Sequence, residues 1–225
     1  MQKQQAVALL ACILCVCTAL ALVLSPVSFR FDAAYRCNLW ASRDSRSGRG
    51  SAIKTTAVIR TALTDLLPRV RTFLDVPCGD FHWMATVRSG IQDFDSKYVG
   101  VDRVKALIRR NKERFPSLHF RTGDVETLRA RAQLVLMRDL LQHLKTDTQL
   151  SILHSLKTYG NEWLLVNYEP RLTKNQRCEI DPAPDWREIN LELPPFSMRP
   201  FATYPSDGTD KHYGLFKLAD TAENI

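Results

Sequence analysis

Apolar and polar positions along this chain change period in a regular alternation. Apolar positions at helical spacing from about Ile53 to Leu67 give way to a short apolar run, Thr72–Val76, and then to a second helical stretch near His82–Ser89. A strand-like run Tyr98–Val101, a helical stretch Val104–Phe115 and a short run His119–Arg121 follow. The series continues with a strand Leu134–Arg138, a helix Asp147–Tyr159 and a strand Trp163–Tyr168. A segment broken by Pro194, Pro195, Pro200 and Pro205 then leads to a late strand, His212–Leu218. The strand runs are rich in Val, Leu and Phe, so both of their faces must be covered. Alternation with helices supplies that cover through right-handed βαβ units. The expected architecture is α/β: a three-layer sandwich around a mostly parallel open sheet.

Ahead of this pattern lies a different one. Ala6 to Leu24 is a run of 19 residues without a charge. As a helix it would span about 28 Å, close to the hydrocarbon thickness of a bilayer. It reads as a retained single-pass membrane anchor, with localisation to a membrane. A cleaved signal peptide, giving a secreted or lumenal protein, is the alternative, although its apolar stretch is usually shorter and Pro26 spoils the cleavage pattern. Lys3 before the segment and Arg30, Arg36 and Arg43 after it balance, so the basic flanks assign no orientation. Residues 1–30 are therefore taken as the anchor or signal segment, the polar residues 31–51, ending in SRDSRSGRGS, as a linker or lid, and 52–225 as the domain proper.

Composition narrows the function classes. With 45% apolar and 24% charged residues, the chain is an ordinary globular one. The net charge of +7 raises nucleic acid as a partner. The densest basic run, RVKALIRRNKERF (Arg103–Phe115), has helical spacing and no interleaved aromatics, so it reads as a solvated helix face and no nucleic-acid partner is expected. Cys12, Cys15 and Cys17 lie inside the apolar segment, and no second pair or His cluster completes a zinc site, so no metal is expected. Cys37, Cys78 and Cys178 are too few and too scattered for a disulfide framework; one Cys37–Cys178 bridge would suit a lumenal domain.

The chemistry gathers where strands end. In an open parallel sheet, ligands bind outside the carboxyl ends of the strands. Asp75 stands at the end of the first strand, in FLDVPCGDFHWM, with Gly79 and Asp80 in the turn after it. Asp102 follows YVGV, Asp124 lies in TGDV, and Asp139 follows LVLMR. Singly, each acid would pass for a helix cap; together they suggest a polar ligand. A dinucleotide site wants GxGxxG and a P-loop wants GxxxxGK[ST]; this turn has only Gly79, and no P-loop sequence is present. Carboxylates around a turn poor in glycine suit a nucleoside with a cationic centre and no phosphate, which is S-adenosylmethionine.

At these residues the chain resembles the class I (Rossmann-like) S-adenosylmethionine-dependent methyltransferases. It is closest to a small subgroup marked by SGRGS (Ser47–Ser51), LDVPCGDFHWM (Leu74–Met84), YVGVD (Tyr98–Asp102), GDV (Gly123–Val125), LVLMRDLLQHL (Leu134–Leu144) and NLELPPF (Asn190–Phe196). The resemblance covers roughly Trp40 to Leu218 and implies a seven-stranded sheet in the order 3-2-1-4-5-7-6. It further implies a cofactor site of Asp75, Pro77, Gly79, Asp80, Trp83, Asp102, Asp124, Val125 and Arg138. In it, Asp75 and Gly79 shape the methionine pocket and Asp80 faces its amino end. Asp102 holds the ribose hydroxyls, Asp124 and Val125 meet the adenine, and Arg138 lines the cofactor. Phe81 stands where the wider class has a second glycine. As an acid at a strand's open end, Asp102 is not expected to hold the core.

Methyl transfer needs alignment first, and a proton acceptor only if the nucleophile is protonated. Asp139 and His143 are four apart, so on a helix beginning there they share a face, and His143 is the candidate base. The alternative is a histidine packed under the sheet edge and bonded to Asp139. Trp83 reads equally as core packing. Asn167, Tyr168 and Glu169, after the fifth strand, are the candidate substrate residues. Lys54 with Gly50 and Ser51 reads as a lid or a flexible linker. The expected activity is a membrane-anchored S-adenosylmethionine-dependent methyltransferase with an unspecified methyl acceptor. A catalytically inactive methyltransferase-fold binding module is the alternative, and a nicotinamide-dependent oxidoreductase lacks its phosphate-binding glycines.

Overall fold

Seven strands hydrogen-bond into one sheet in the computed structural model, which describes residues 27–181, 186–208 and 210–220. They are β1 (Phe73–Asp75), β2 (Tyr98–Asp102), β3 (His119–Thr122), β4 (Leu134–Met137), β5 (Trp163–Asn167), β6 (Ala202–Tyr204) and β7 (Tyr213–Lys217). The order is β3-β2-β1-β4-β5-β7-β6, as the resemblance implies. The first five strands run parallel, and β7 lies antiparallel between β5 and β6.

The strand pleat sends successive residues to opposite faces, and two cores result. Phe73, Leu134, Leu136, Leu165 and Leu215 point to one face, where they meet Ile59 and Leu63 of α2 (Ala57–Leu66), Met84 of α3 (Met84–Arg88) and Phe94 of α4 (Phe94–Lys97). Ile108 of α5 (Lys105–Arg114) joins them. Leu74, Val135, Met137, Leu164, Val166 and Phe216 point to the other face, against Ile152, Leu153 and Leu156 of α6 (Thr146–Thr158). Burying both faces is why these strands carry continuous rather than alternating apolar residues.

Besides the four-residue α4, two elements were not visible in the apolar pattern. Strand β6 has three residues, none of them buried, between Pro200 and Pro205; such a strand survives only at a sheet edge, where one side needs no partner. The other is α1 (Val27–Cys37), which crosses the expected boundary at residue 30 and occupies the start of the expected linker. Phe31 and Ala34 are buried, and Phe31 packs with Val104 and Leu107 beside α5. Only one narrow stripe of α1 is apolar, so the surrounding charges hide its period. The apolar run Ala6–Leu24 lies outside the described residues, and no described helix is long and apolar enough to cross a membrane.

Candidate functional site

A cavity of about 280 Å³ opens at the carboxyl ends of β1, β2 and β4. The turn after β1 forms its floor. The Val76–Pro77 peptide is cis, and Cys78 donates its backbone N–H to the Val101 carbonyl (2.9 Å). Gly79 then adopts φ +56°, donates its N–H to Asp102 Oδ2 (3.1 Å) and accepts from Asn111 Nδ2 (2.8 Å). A Cβ at Gly79 would run into the Ser47 hydroxyl, so the glycine serves both the left-handed turn and the close approach of the Ser47 segment. Phe81 also has positive φ, at +57°, an unfavourable conformation for a bulky residue. Its ring turns away from the cavity into a cluster with Phe94, Tyr98, Phe115 and Phe120, centroids 4.8–6.3 Å apart, which compensates the strain.

Two acids line this floor almost without solvent contact. Asp75, 2% exposed, accepts a hydrogen bond from the Tyr98 hydroxyl (2.9 Å); burial pushes its pKa up to about 8 against that bond. Asp102, 3% exposed, accepts from Gly79 N and, through Oδ1, from Val104 N (3.0 Å). Burial raises its pKa to about 6 although both amides favour the charged form. Without a cation present, Asp75 keeps its proton at neutral pH.

Arg138 forms the opposite wall. Its Nε donates to the Tyr213 hydroxyl (2.8 Å), Nη1 to Asp139 (3.0 Å) and Ser51 (3.4 Å), and Nη2 to the Gly50 carbonyl (2.6 Å), with Asp210 at 3.7 Å. The guanidinium also lies over the Trp83 ring, 5.6 Å from its centroid, so Trp83 both lines the cavity and supports this arginine. Asp139 is further held by Lys211 and by Asn167, whose side chain bonds both its N–H (2.8 Å) and its carboxylate (3.0 Å). Burial opposes ionisation of Asp139, but Lys211 and Arg138 outweigh it and hold the carboxyl well below the usual range. Burial lowers the Lys211 pKa, with Asp139 opposing.

The expected site residues divide into two sets. Asp75, Pro77, Gly79, Trp83, Asp102, Arg138, Asp139 and His143 all line the cavity. Asp124 and Val125 line a small adjoining cavity of about 30 Å³ that shares Pro77, Asp102, Arg103 and Leu140 with the first. Asp139 and His143 do not share a helix face: Asp139 has φ +55°, and His143 ends a single 3-10 turn, Leu141–His143. The left-handed residue breaks the helical register, and His143 instead packs edge-on against Phe31 (5.7 Å, 84°).

Asp80 is not among the lining residues and has a different task. Its carboxylate accepts from Ser45 Oγ (2.9 and 3.0 Å), Arg46 N (2.7 Å), Ser47 Oγ (3.3 Å) and His82 N (3.2 Å), pinning the Ser45–Ser47 segment beside the cavity. Asn167 supports Asp139 and gives its carbonyl to Gln142. Tyr168 is buried with its hydroxyl on Glu192 (2.7 Å), and Glu169 pairs with Arg171. These three do not line the cavity, because β7 and the segment around Asn190 cover the end of β5. Losing Asp80 removes charge-assisted bonds worth about 1.5–3 kcal/mol each, so Asp80→Ala should expose the loop bearing Arg43, Arg46 and Arg49 and speed trypsin cleavage there by at least about tenfold. Cleavage at the parent's rate would show that Asp80 does not hold the loop.

Several lining residues had no signal in the pattern. Phe31, Tyr35 and Trp40 come from the expected linker, Lys211 from the loop before β7, and Gln142 and Arg103 sit beside singled-out residues. Gln142 donates to the Asn167 carbonyl while its Oε1, buried, has no partner among the described residues; the buried Nε of Arg103 is likewise unpartnered.

No protein-family model matches the chain, and no curated protein matches it in sequence. Solved structures match it in shape. Magnesium protoporphyrin IX methyltransferase (ChlM) from Synechocystis PCC 6803 with bound SAM is 13% identical over 85% of this chain and 96% of that one, at TM-score 0.54. PigF with SAH is 13% identical over 72% and 55% of the two chains, also at 0.54. A structure described as a pericyclic reaction enzyme is 12% identical over 65% and 42%, at 0.52. This chain spans 55% of the length of PigF and of other structures it matches. With the strand order, these likenesses show the class I methyltransferase fold.

Proposed function

We propose that this protein is an S-adenosylmethionine-dependent methyltransferase, anchored in a membrane by residues 6–24. The observation that carries the reading is the pair of buried acids, Asp75 and Asp102, at the floor of the cavity. Such an acid-rich floor fits a ligand with an ammonium, a sulfonium and two ribose hydroxyls. Asp102 would take the ribose, Asp75 the amino end, and the small cavity at Asp124 and Val125 the adenine edge.

When bound, the cofactor supplies an electrophilic methyl group. The chain's own part is alignment and proton handling. Trp83 and Arg138 give a rigid wall. Asp139 stays ionised under Lys211 and Arg138, and its carboxylate interacts electrostatically with His143. Phe31 fixes the imidazole, which takes the proton of a protonated nucleophile. The methyl acceptor and the bilayer are the partners invoked, and neither nucleic acid nor a metal has a role.

Calorimetry on the full chain should show S-adenosylmethionine binding and none of NAD; the reverse would overturn the proposal. A cation at the floor must displace the proton of Asp75. Affinity should therefore rise between about pH 6 and pH 8, with proton release visible as a dependence of the heat on the buffer's ionisation enthalpy. Stability of the empty protein runs the other way. Both acids have raised folded pKa values, so their contribution is fully present below about pH 4 and is lost as the pH rises to about 8. Cofactor binding without transfer of labelled methyl to membrane, glycan or protein fractions would favour the inactive binding module.

A further inference from the structure

The rim of the cavity carries an exposed large apolar side chain. Trp186, 61% exposed, lines the cavity, and Ile180, 71% exposed, directly precedes Asp181, which is bonded to helix α1. Helix α1 closes the same rim: Arg30 Nη1 donates to the Asp181 carbonyl (2.9 Å), and Phe31, one residue on, lines the cavity. A single exposed apolar residue is ordinary, but Trp186 stands at the cavity mouth and Ile180 next to the residue that ties α1 to it.

Chain length says what covers it. The apolar run ends at Leu24, three residues before α1 begins at Val27. Three extended residues reach at most about 11 Å, and the four helical steps from Val27 to Phe31 add about 6 Å. A bilayer's headgroup layer is itself about 5–8 Å deep on each side. If residues 6–24 span the bilayer, the wall of the cavity that contains Phe31 stands against or just outside the headgroups.

We infer that the cavity rim formed by the start of α1, Ile180 and Trp186 rests on the lipid surface, so that the site opens toward the bilayer and takes a membrane-borne acceptor. The contact rests on the anchored reading of residues 6–24, and the acceptor class rests on the methyltransferase reading. An amphiphilic acceptor would reach the site with its polar nucleophile inward, past Trp186, and its apolar part left in the lipid.

The test uses the full chain in vesicles of phosphatidylcholine and phosphatidylserine, with and without lipid bearing a nitroxide quencher near the headgroup. Trp186 is the exposed tryptophan, and residues 6–24 contain none. The parent should lose tryptophan emission when quencher lipid is present, and Trp186→Phe should remove most of that loss; Ile180→Ser should reduce it. Equal quenching of parent and Trp186→Phe, or release of the parent from vesicles by alkaline carbonate, would overturn the inference. The measurement involves no methyl transfer, so its failure is separate from a failure of cofactor binding by calorimetry.

Discussion

Arg138→Ala is expected to lower the stability of the protein by about 3–5 kcal/mol, the largest effect of any single change at the site. The guanidinium is buried and joins the Gly50–Ser51 loop, the end of β4 and the Asp210–Tyr213 segment. Removing it strands the fully buried Asp210 without its cation, leaves Asp139 to Lys211 alone and takes one of two donors from the Gly50 carbonyl. Arg138→Lys should recover only part of the loss, because a single ammonium cannot bond the Tyr213 hydroxyl, Asp139 and the Gly50 carbonyl at once. Urea denaturation of the three proteins measures this. A midpoint for Arg138→Ala equal to the parent's would mean that the network does not hold the site together.

Asp102→Ala should weaken S-adenosylmethionine binding by at least about tenfold, since a charge-assisted bond to one ribose hydroxyl is worth about 1.5–3 kcal/mol and 1.4 kcal/mol is a decade in affinity. The structure changes what else to expect. Asp102 is not indifferent to folding: it accepts from the amides of Gly79 and Val104, which join the turn after β1 to the start of α5. Each buried amide left without an acceptor costs about 1–3 kcal/mol. Part of this is offset at high pH, where the parent carries a buried charge that burial disfavours. The variant's deficit should therefore be larger at pH 5 than at pH 8, with thermal melting at both values as the check. A variant that binds cofactor like the parent would remove the ribose from Asp102 and take the site assignment with it.

What could be read in advance were the features that depend on short-range pattern. The apolar runs of β1, β2, β4 and β5 announce strands buried on both faces, because a parallel sheet between two helical layers leaves no polar side. The acids Asp75, Asp102 and Asp139 could be placed at the ligand end because strand ends in such a sheet all point one way. Gly79 was recognisable as the turn residue, since left-handed backbone favours glycine wherever it occurs.

Direction of side chains was another matter. Asp80, Asn167 and Tyr168 sit in the right loops, yet their groups turn to Ser45, Asp139 and Glu192, choices made by partners 24 to 35 residues away. The cavity walls at Phe31, Tyr35, Trp40 and Lys211 come from segments whose own pattern is weak, and only packing against α5 and Asp139 gives them a place. The sequence by itself determined the layers, the strand ends and the chemical character of the floor, because these follow from periodicity and from what a buried turn allows. Tertiary structure alone decided which acids face the cavity and which brace it, because each carboxylate's orientation is set by donors brought from distant parts of the chain.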